Sequence, residues 1–279
     1  MALDQRQGCC HVPQYLRSHG ICRIAQKIQT SGQSLLSRTI RTGFACRHER
    51  QIGRHGDGGK WVCDPHRITR AKNCLVYSVG SDGDVSFEQE VKAEIGAHCE
   101  IHTFDMANYS EVVESTGAHF HPWGISHESI TDRRGNIYKT LQQTVEELGH
   151  VGRKIDIFKI DCEGCEWTTY PSFFTARVEL QQVLIELHAG ENTKQQQQQN
   201  QKNQQQSPFR PMPPEAVDFF EAMYQNGYVI FHKEVNIRFW HVGQCIEYAF
   251  LRLHQDFFSN ISGWVGNQPF KGNGGNDGE

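Results

Sequence analysis

From residue 74 to residue 253, short apolar runs alternate with amphipathic helical stretches. CLVYSV (74–79), CEIHTF (99–104), the weaker AHFHPW (118–123), IDIFKI (155–160), QVLIELH (182–188), YVIFH (228–232) and CIEYAFLRL (245–253) read as seven strands. Continuous apolar runs of this length suit strands covered on both faces. SFEQEVKAEIG places Phe87, Val91 and Ile95 on one helical face, opened by a Ser86–Gln89 capping box and stopped by Gly96. A Thr140–Gln143 box opens another helix, with Leu141, Val145 and Leu148 inward. Pro214 starts a third, with Val217, Phe220 and Tyr224 as its stripe. Strands alternating with helices imply a mostly parallel, doubly wound sheet. The end of the series differs, because only residues 233–244 separate the last two strands and Val235, Ile237 and Phe239 keep strand spacing there. That connection is too short for a packed crossover helix, so the final pair is expected to be antiparallel. The predicted fold is a Rossmann-like α/β, seven-stranded sheet, mostly parallel, with an antiparallel last strand.

Flanking composition sets the domain limits. Residues 1–60 hold ten Lys/Arg against three acids (Asp4, Glu49 and Asp57), although the whole 279-residue chain is at −4. The reading is a basic arm over 1–45, disordered or a transit peptide, then a domain over 46–258 and a flexible tail over 259–279. Within the domain, KQQQQQNQKNQQQ (194–206) has almost nothing apolar to bury and reads as a disordered insert. No apolar run approaches the roughly 18 residues of a membrane span. The acidic net charge argues against general nucleic-acid binding. Ten cysteines without a secretory signal imply reduced thiols and an intracellular, cytoplasmic protein, with mitochondrial or other organelle targeting as the alternative.

In open α/β sheets, ligands lie beyond the carboxyl ends of the strands. After the first strand, VYSVGSDGDVSFE brings Gly80 and Gly83 into a turn before a helix, a weak phosphate or nucleotide signal lacking a third glycine. Asp105 closes the second strand, where a carboxylate can accept hydrogen bonds from ribose hydroxyls. IDIFKIDCEGCEW then sets Asp161, Glu163 and Glu166 around Gly164, and acids clustered at this edge invite a catalytic or metal role. The alternative is that Asp161 caps a turn while Glu163 or Glu166 pairs with Lys159. Cys162 and Cys165 form a CxxC that reads as packing thiols, with a zinc or redox pair as the alternative. Cys46, His48, Cys63 and His66 match no zinc-finger spacing, so no metal set is assigned.

KIDCEGCEW resembles the K-I-D-x-E-G-x-E motif of FkbM-type methyltransferases. GDGGKWVCDP (56–65) and YSVGSDGDVSFE are similar to the methyltransferase-like-protein branch of that superfamily. The resemblance runs from about Cys46 to Leu253. It implies a class I methyltransferase that uses S-adenosylmethionine, with Ser78, Gly80 and Asp82 around the methionine end and Glu88 assisting. Asp105 would hold the ribose, Met106 would pack on adenine, and the segment from Gly124 to Ser126 would border the base. Asp161 and Glu163 would face the methyl group and its acceptor, with Glu186 and His188 completing the acceptor side. His188 is the expected general base, since a reference pKa of about 6.5 suits that role.

The expected function is O-methylation of a small molecule or glycan. A divalent cation on Asp161 and Glu163 is a secondary reading. The rivals are a non-catalytic binding module with the same fold and an NAD-type oxidoreductase.

Overall fold

The computed structural model describes residues 44–56, 58–189, 213, 215–236 and 245–254. The arm to residue 43, the glutamine tract, Pro214 and the C-terminal tail lie outside the described residues.

Strands β1 (Glu49–Ile52) and β2 (Lys60–Cys63) form an antiparallel hairpin, and α1 (Pro65–Ile68) leads into β3 (Leu75–Val79). Helix α2 (Ser86–Glu90) continues as a π-turn over Val91–Ile95. It is followed by β4 (Glu100–Phe104), α3 (Ser110–Glu114) and β5 (His119–His121). A small sheet of β6 (Gly124–Ile125), β7 (Ile130–Thr131) and β8 (Ile137–Lys139) precedes α4 (Leu141–Glu147). Next come β9 (Lys154–Ile155), β10 (Ile157–Ile160), α5 (Glu166–Thr169), α6 (Ser172–Thr175), β11 (Glu179–Leu180) and β12 (Gln182–His188). Helix α7 (Glu215–Gln225), β13 (Tyr228–Val235) and β14 (Cys245–Arg252) complete the described elements.

The seven-stranded sheet has the order β13-β14-β12-β10-β3-β4-β5. Strands β12, β10, β3, β4 and β5 run parallel, while β14 is antiparallel to both β12 and β13. This is the predicted Rossmann-like layout. The strand order reverses between β3 and β10, and a crevice opens there at the carboxyl ends.

Alternate residues of β3 serve different cores. Leu75, Tyr77 and Val79 face α4 to α7, packing with Leu141, Val145, Phe173 and Phe219. Val76 points to the opposite face, with Phe87, Val91 and Ile95 of the α2 segment and with Ile52 and Val62 of the hairpin. The hairpin thus covers the sheet below β12 and β14.

Local details depart from the sequence reading. Thr140 Oγ1 accepts the Gln143 N–H at 3.1 Å, as its capping box requires. Ser86 makes no such cap: Asp84 Oδ1 accepts the Ser86 N–H at 3.0 Å, and Ser86 Oγ accepts the Arg54 N–H. On α7 the buried stripe is Ala216, Phe219 and Met223, one position away from the expected one. The reduced-thiol expectation is also corrected. Cys46–Cys63, Cys74–Cys99 and Cys162–Cys165 are disulfide-bonded, with Cα separations of 5.7, 4.6 and 5.4 Å. Among the described residues Cys245 alone is a free thiol.

Candidate active site

A cleft of about 1170 Å³ lies along the carboxyl ends of β3, β4, β10 and β12. One end is formed by the turn after β3. Gly80 has a φ of +73°, and a Cβ there would stand 1.7 Å from the Asp161 carbonyl oxygen. Glycine is required because two backbones meet, rather than because a ligand needs the space. Lys159, almost fully buried on β10, donates to the Gly80 carbonyl at 2.9 Å and fixes the turn from below.

Asp105 closes the same end. Its Oδ2 accepts the Ser81 and Asp82 N–H groups at 3.1 and 3.0 Å, and its Oδ1 accepts the Ala107 N–H at 3.0 Å. Of about four lone-pair directions on a carboxylate, one remains for a ligand hydroxyl. Asp82 (φ +46°) accepts the Tyr109 hydroxyl at 2.8 Å. Beside them Phe104, Met106, Gly124, Ile125 and Tyr138 make an apolar slot. A Cβ on Gly124 would meet Tyr138 at 3.1 Å and Met106 at 3.3 Å, so its absence keeps that slot open.

The opposite end is ionic. Lys60 of β2 is only 2% exposed, and its ammonium contacts Glu247, Asp161 Oδ2 at 3.3 Å and Glu186 Oε2 at 3.5 Å. One cation among three acids cannot balance them all. Burial and the neighbouring Glu247 and Asp161 raise the pKa of Glu186 well above the usual carboxylate range, so it keeps a proton. Asp161 resists burial and is held low by Lys60, then by Lys159. Asn236 Nδ2 donates to Glu186 Oε1 at 3.1 Å.

His188 closes this cluster. Its Nε2 lies 3.5 Å from Glu163 and 3.8 Å from Asp161, and its Nδ1 lies 3.0 Å from the fully buried Glu166. Burial opposes a charge on the ring, yet Cys245 and Glu166 push it up to about 11. His188 is therefore an imidazolium near neutral pH. A proton held on the ring opposes the general-base role expected of His188 and suits it to hold the neighbouring carboxylates. Glu163, with a φ of +56°, projects into solvent at the cleft rim.

Gly80, Asp82, Asp105, Met106, Asp161, Glu163 and His188 thus all line one cleft. Three expected ligand residues do not. Ser78, within β3, and Glu88, on α2, are fully buried, and Glu88 Oε1 accepts the Thr103 hydroxyl at 3.1 Å. The Ser126 N–H bonds to the Lys139 carbonyl, outside the cleft lining. Lys60, Glu247 and Tyr138 were missed, although Lys60 lies in the GDGGKW signal. The Cys46/His48/Cys63/His66 set is removed by the disulfide that consumes both thiols.

A family model described as a methyltransferase domain matches residues 16–252. The chain belongs to that family. It is a methyltransferase with a Rossmann-like fold, and methyltransferases generally use S-adenosylmethionine. No curated protein is detectably similar in sequence. Solved structures with a related trace include a candidate rRNA-methylase from Clostridium thermocellum, with 10% identity over 68% of this chain and 93% of that one and a TM-score of 0.39. TrmN from Thermus thermophilus shows 10% identity over 68% and 47%, with a TM-score of 0.33. A candidate O-methyltransferase from Klebsiella pneumoniae shows 14% identity over 67% and 76%, with a TM-score of 0.37. These likenesses are too loose to carry an argument about substrate. Among the described residues no helix is long and apolar enough to cross a membrane.

Proposed function

We propose that this methyltransferase, of the FkbM-like branch, binds S-adenosylmethionine at the β3–β4 end of the cleft and methylates a hydroxyl of a small molecule or glycan at the β10–β12 end. The observation that carries this reading is one continuous cleft joining a nucleoside-type slot to a carboxylate cluster. The residues fit the cofactor: Met106, Ile125 and Tyr138 offer flat apolar surface for a base, and Asp105 keeps one acceptor direction for a ribose hydroxyl. When bound, the cofactor supplies an electrophilic methyl group.

The remaining chemistry belongs to the chain. Asp161, ionised and held by Lys60, can accept the hydrogen bond of an acceptor hydroxyl and orient it. In-line displacement gains most from alignment, so a weakly basic carboxylate suffices to take the proton. His188 as an imidazolium fixes the outer side of Asp161 and Glu163. The antiparallel β14 argues against the NAD-type layout. The three disulfides favour an oxidising compartment over the reducing cytosol.

The test is transfer of labelled methyl from S-adenosylmethionine to separated glycan, small-molecule and RNA pools. Label in a glycan or small-molecule ether, lost at least about 100-fold in Asp161→Asn with cofactor affinity kept, supports the reading. Label in RNA alone, or undiminished turnover in Asp161→Asn, contradicts it.

A further inference from the structure

A second cluster lies at the other edge of the sheet, where β4 begins. Glu100 Oε1 stands 3.1 Å from His102 Nε2 and 3.2 Å from His150 Nε2. The three ligand atoms all lie within 4.8 Å of one another. For tetrahedral bonds of about 2.0–2.1 Å, neighbouring ligand atoms are about 3.3 Å apart. Both imidazoles are buried, and Glu100 is partly exposed, which leaves a route from solvent.

The outer partners have the arrangement a metal site needs. The ring nitrogen of His102 facing away from Glu100 is 2.7 Å from His121 Nε2, and that of His150 is 2.6 Å from the Tyr77 hydroxyl. Arg153 holds the other Glu100 oxygen at 2.7 Å, so Oε1 stays turned toward the two rings. Metal-binding histidines ordinarily donate their second N–H to such a partner, which fixes the ring and its tautomer. With a cation on Nε2 of each ring, Nδ1–H of His102 can donate to His121 Nε2 and Nδ1–H of His150 to the Tyr77 hydroxyl.

We propose that Glu100, His102 and His150 bind a zinc-class divalent cation. Two imidazoles and a carboxylate form a donor set suited to Zn²⁺. The ion would tie β4 to the connection between α4 and β9, on the edge away from the cleft, with three protein ligands and one position open to water.

The experiment uses the full chain stripped with a chelator and titrated with Zn²⁺ by calorimetry, with melting temperature read in parallel. One equivalent of Zn²⁺ should bind and raise the melting temperature. Glu100→Gln and His150→Gln should each weaken binding by more than the roughly 10- to 100-fold typical for an outer partner, and Tyr77→Phe by about 10-fold. Glu163→Gln, which alters the acids of the cleft, should leave the affinity unchanged. Should the histidine variant fail to fold, ¹⁵N-histidine spectra of the parent decide the matter: two Nε2 resonances shift with one equivalent of Zn²⁺. The proposal is overturned by no binding, by binding that Glu100→Gln and His150→Gln retain, by loss on Glu163→Gln, or by unshifted imidazole resonances.

Discussion

Lys60 Nζ lies 3.3 Å from Asp161 Oδ2, joining residues 101 positions apart across two elements. Through this contact the β1–β2 hairpin partly offsets the acidic edge of the cleft from beneath. Lys60→Met removes the cation from among Asp161, Glu186 and Glu247 while keeping a similar stem. Breaking one side of a buried ionic set costs about 3–5 kcal/mol, and urea unfolding should show a loss of that size. Adding Glu247→Gln to Lys60→Met should recover part of it. A single variant as stable as the parent contradicts the assignment.

The same end of the cleft sets a pH dependence. His188 is raised to about 11 in the folded state from an ordinary value near about 6.5. Its contribution to stability is therefore full below about 6.5 and lost as pH rises toward 11. Glu186, also raised, acts in the same direction, because deprotonating it in the fold adds an unbalanced charge. Melting temperature should fall steadily between pH 7 and 10, and His188→Gln should flatten that fall. A parent flat over this range contradicts the imidazolium.

Gly80 is constrained by backbone. Its Cβ would stand 1.7 Å from the Asp161 carbonyl oxygen, at a φ of +73°. Gly80→Ala should thus lower stability by several kcal/mol, on the order of the largest single-residue effects. Calorimetric unfolding checks it. A variant that melts like the parent means that β3 and β10 can separate there.

The central sheet was legible because IDIFKI and QVLIELH are buried on both faces and read as continuous apolar runs. The antiparallel β14 was legible from the short connection before it. The α7 stripe was misplaced because the adjacent Phe219 and Phe220 both reach β14, and periodicity alone did not show that Phe219 is the fully buried one. Asp161 and His188 could be placed at strand ends, but their charge states could not. Those depend on Lys60 and Glu166, brought in by separate elements. Disulfide pairing was hidden for the same reason, since spacing does not give connectivity.

Cys74–Cys99 joins the starts of β3 and β4, and Cys46–Cys63 secures the hairpin. Loops of these lengths gain about 3 kcal/mol each from closure. Reduction should lower the melting temperature cooperatively, and mass mapping of the oxidised protein should recover both pairs. Free thiols at these four positions in protein purified under oxidising conditions contradict the pairing.

The central claim, a cofactor slot between Met106 and Tyr138 opened by Gly124, is tested most directly by calorimetric titration of S-adenosylmethionine into the parent and Gly124→Val. The φ of Gly124 is ordinary, so valine fills the slot without straining the backbone of β6. The parent should bind one equivalent, NAD should give no heat, and Gly124→Val should bind at least about ten-fold more weakly, a change of about 1.4 kcal/mol, with its circular dichroism spectrum unchanged. Preference for NAD, or equal affinity in parent and variant, would contradict the account.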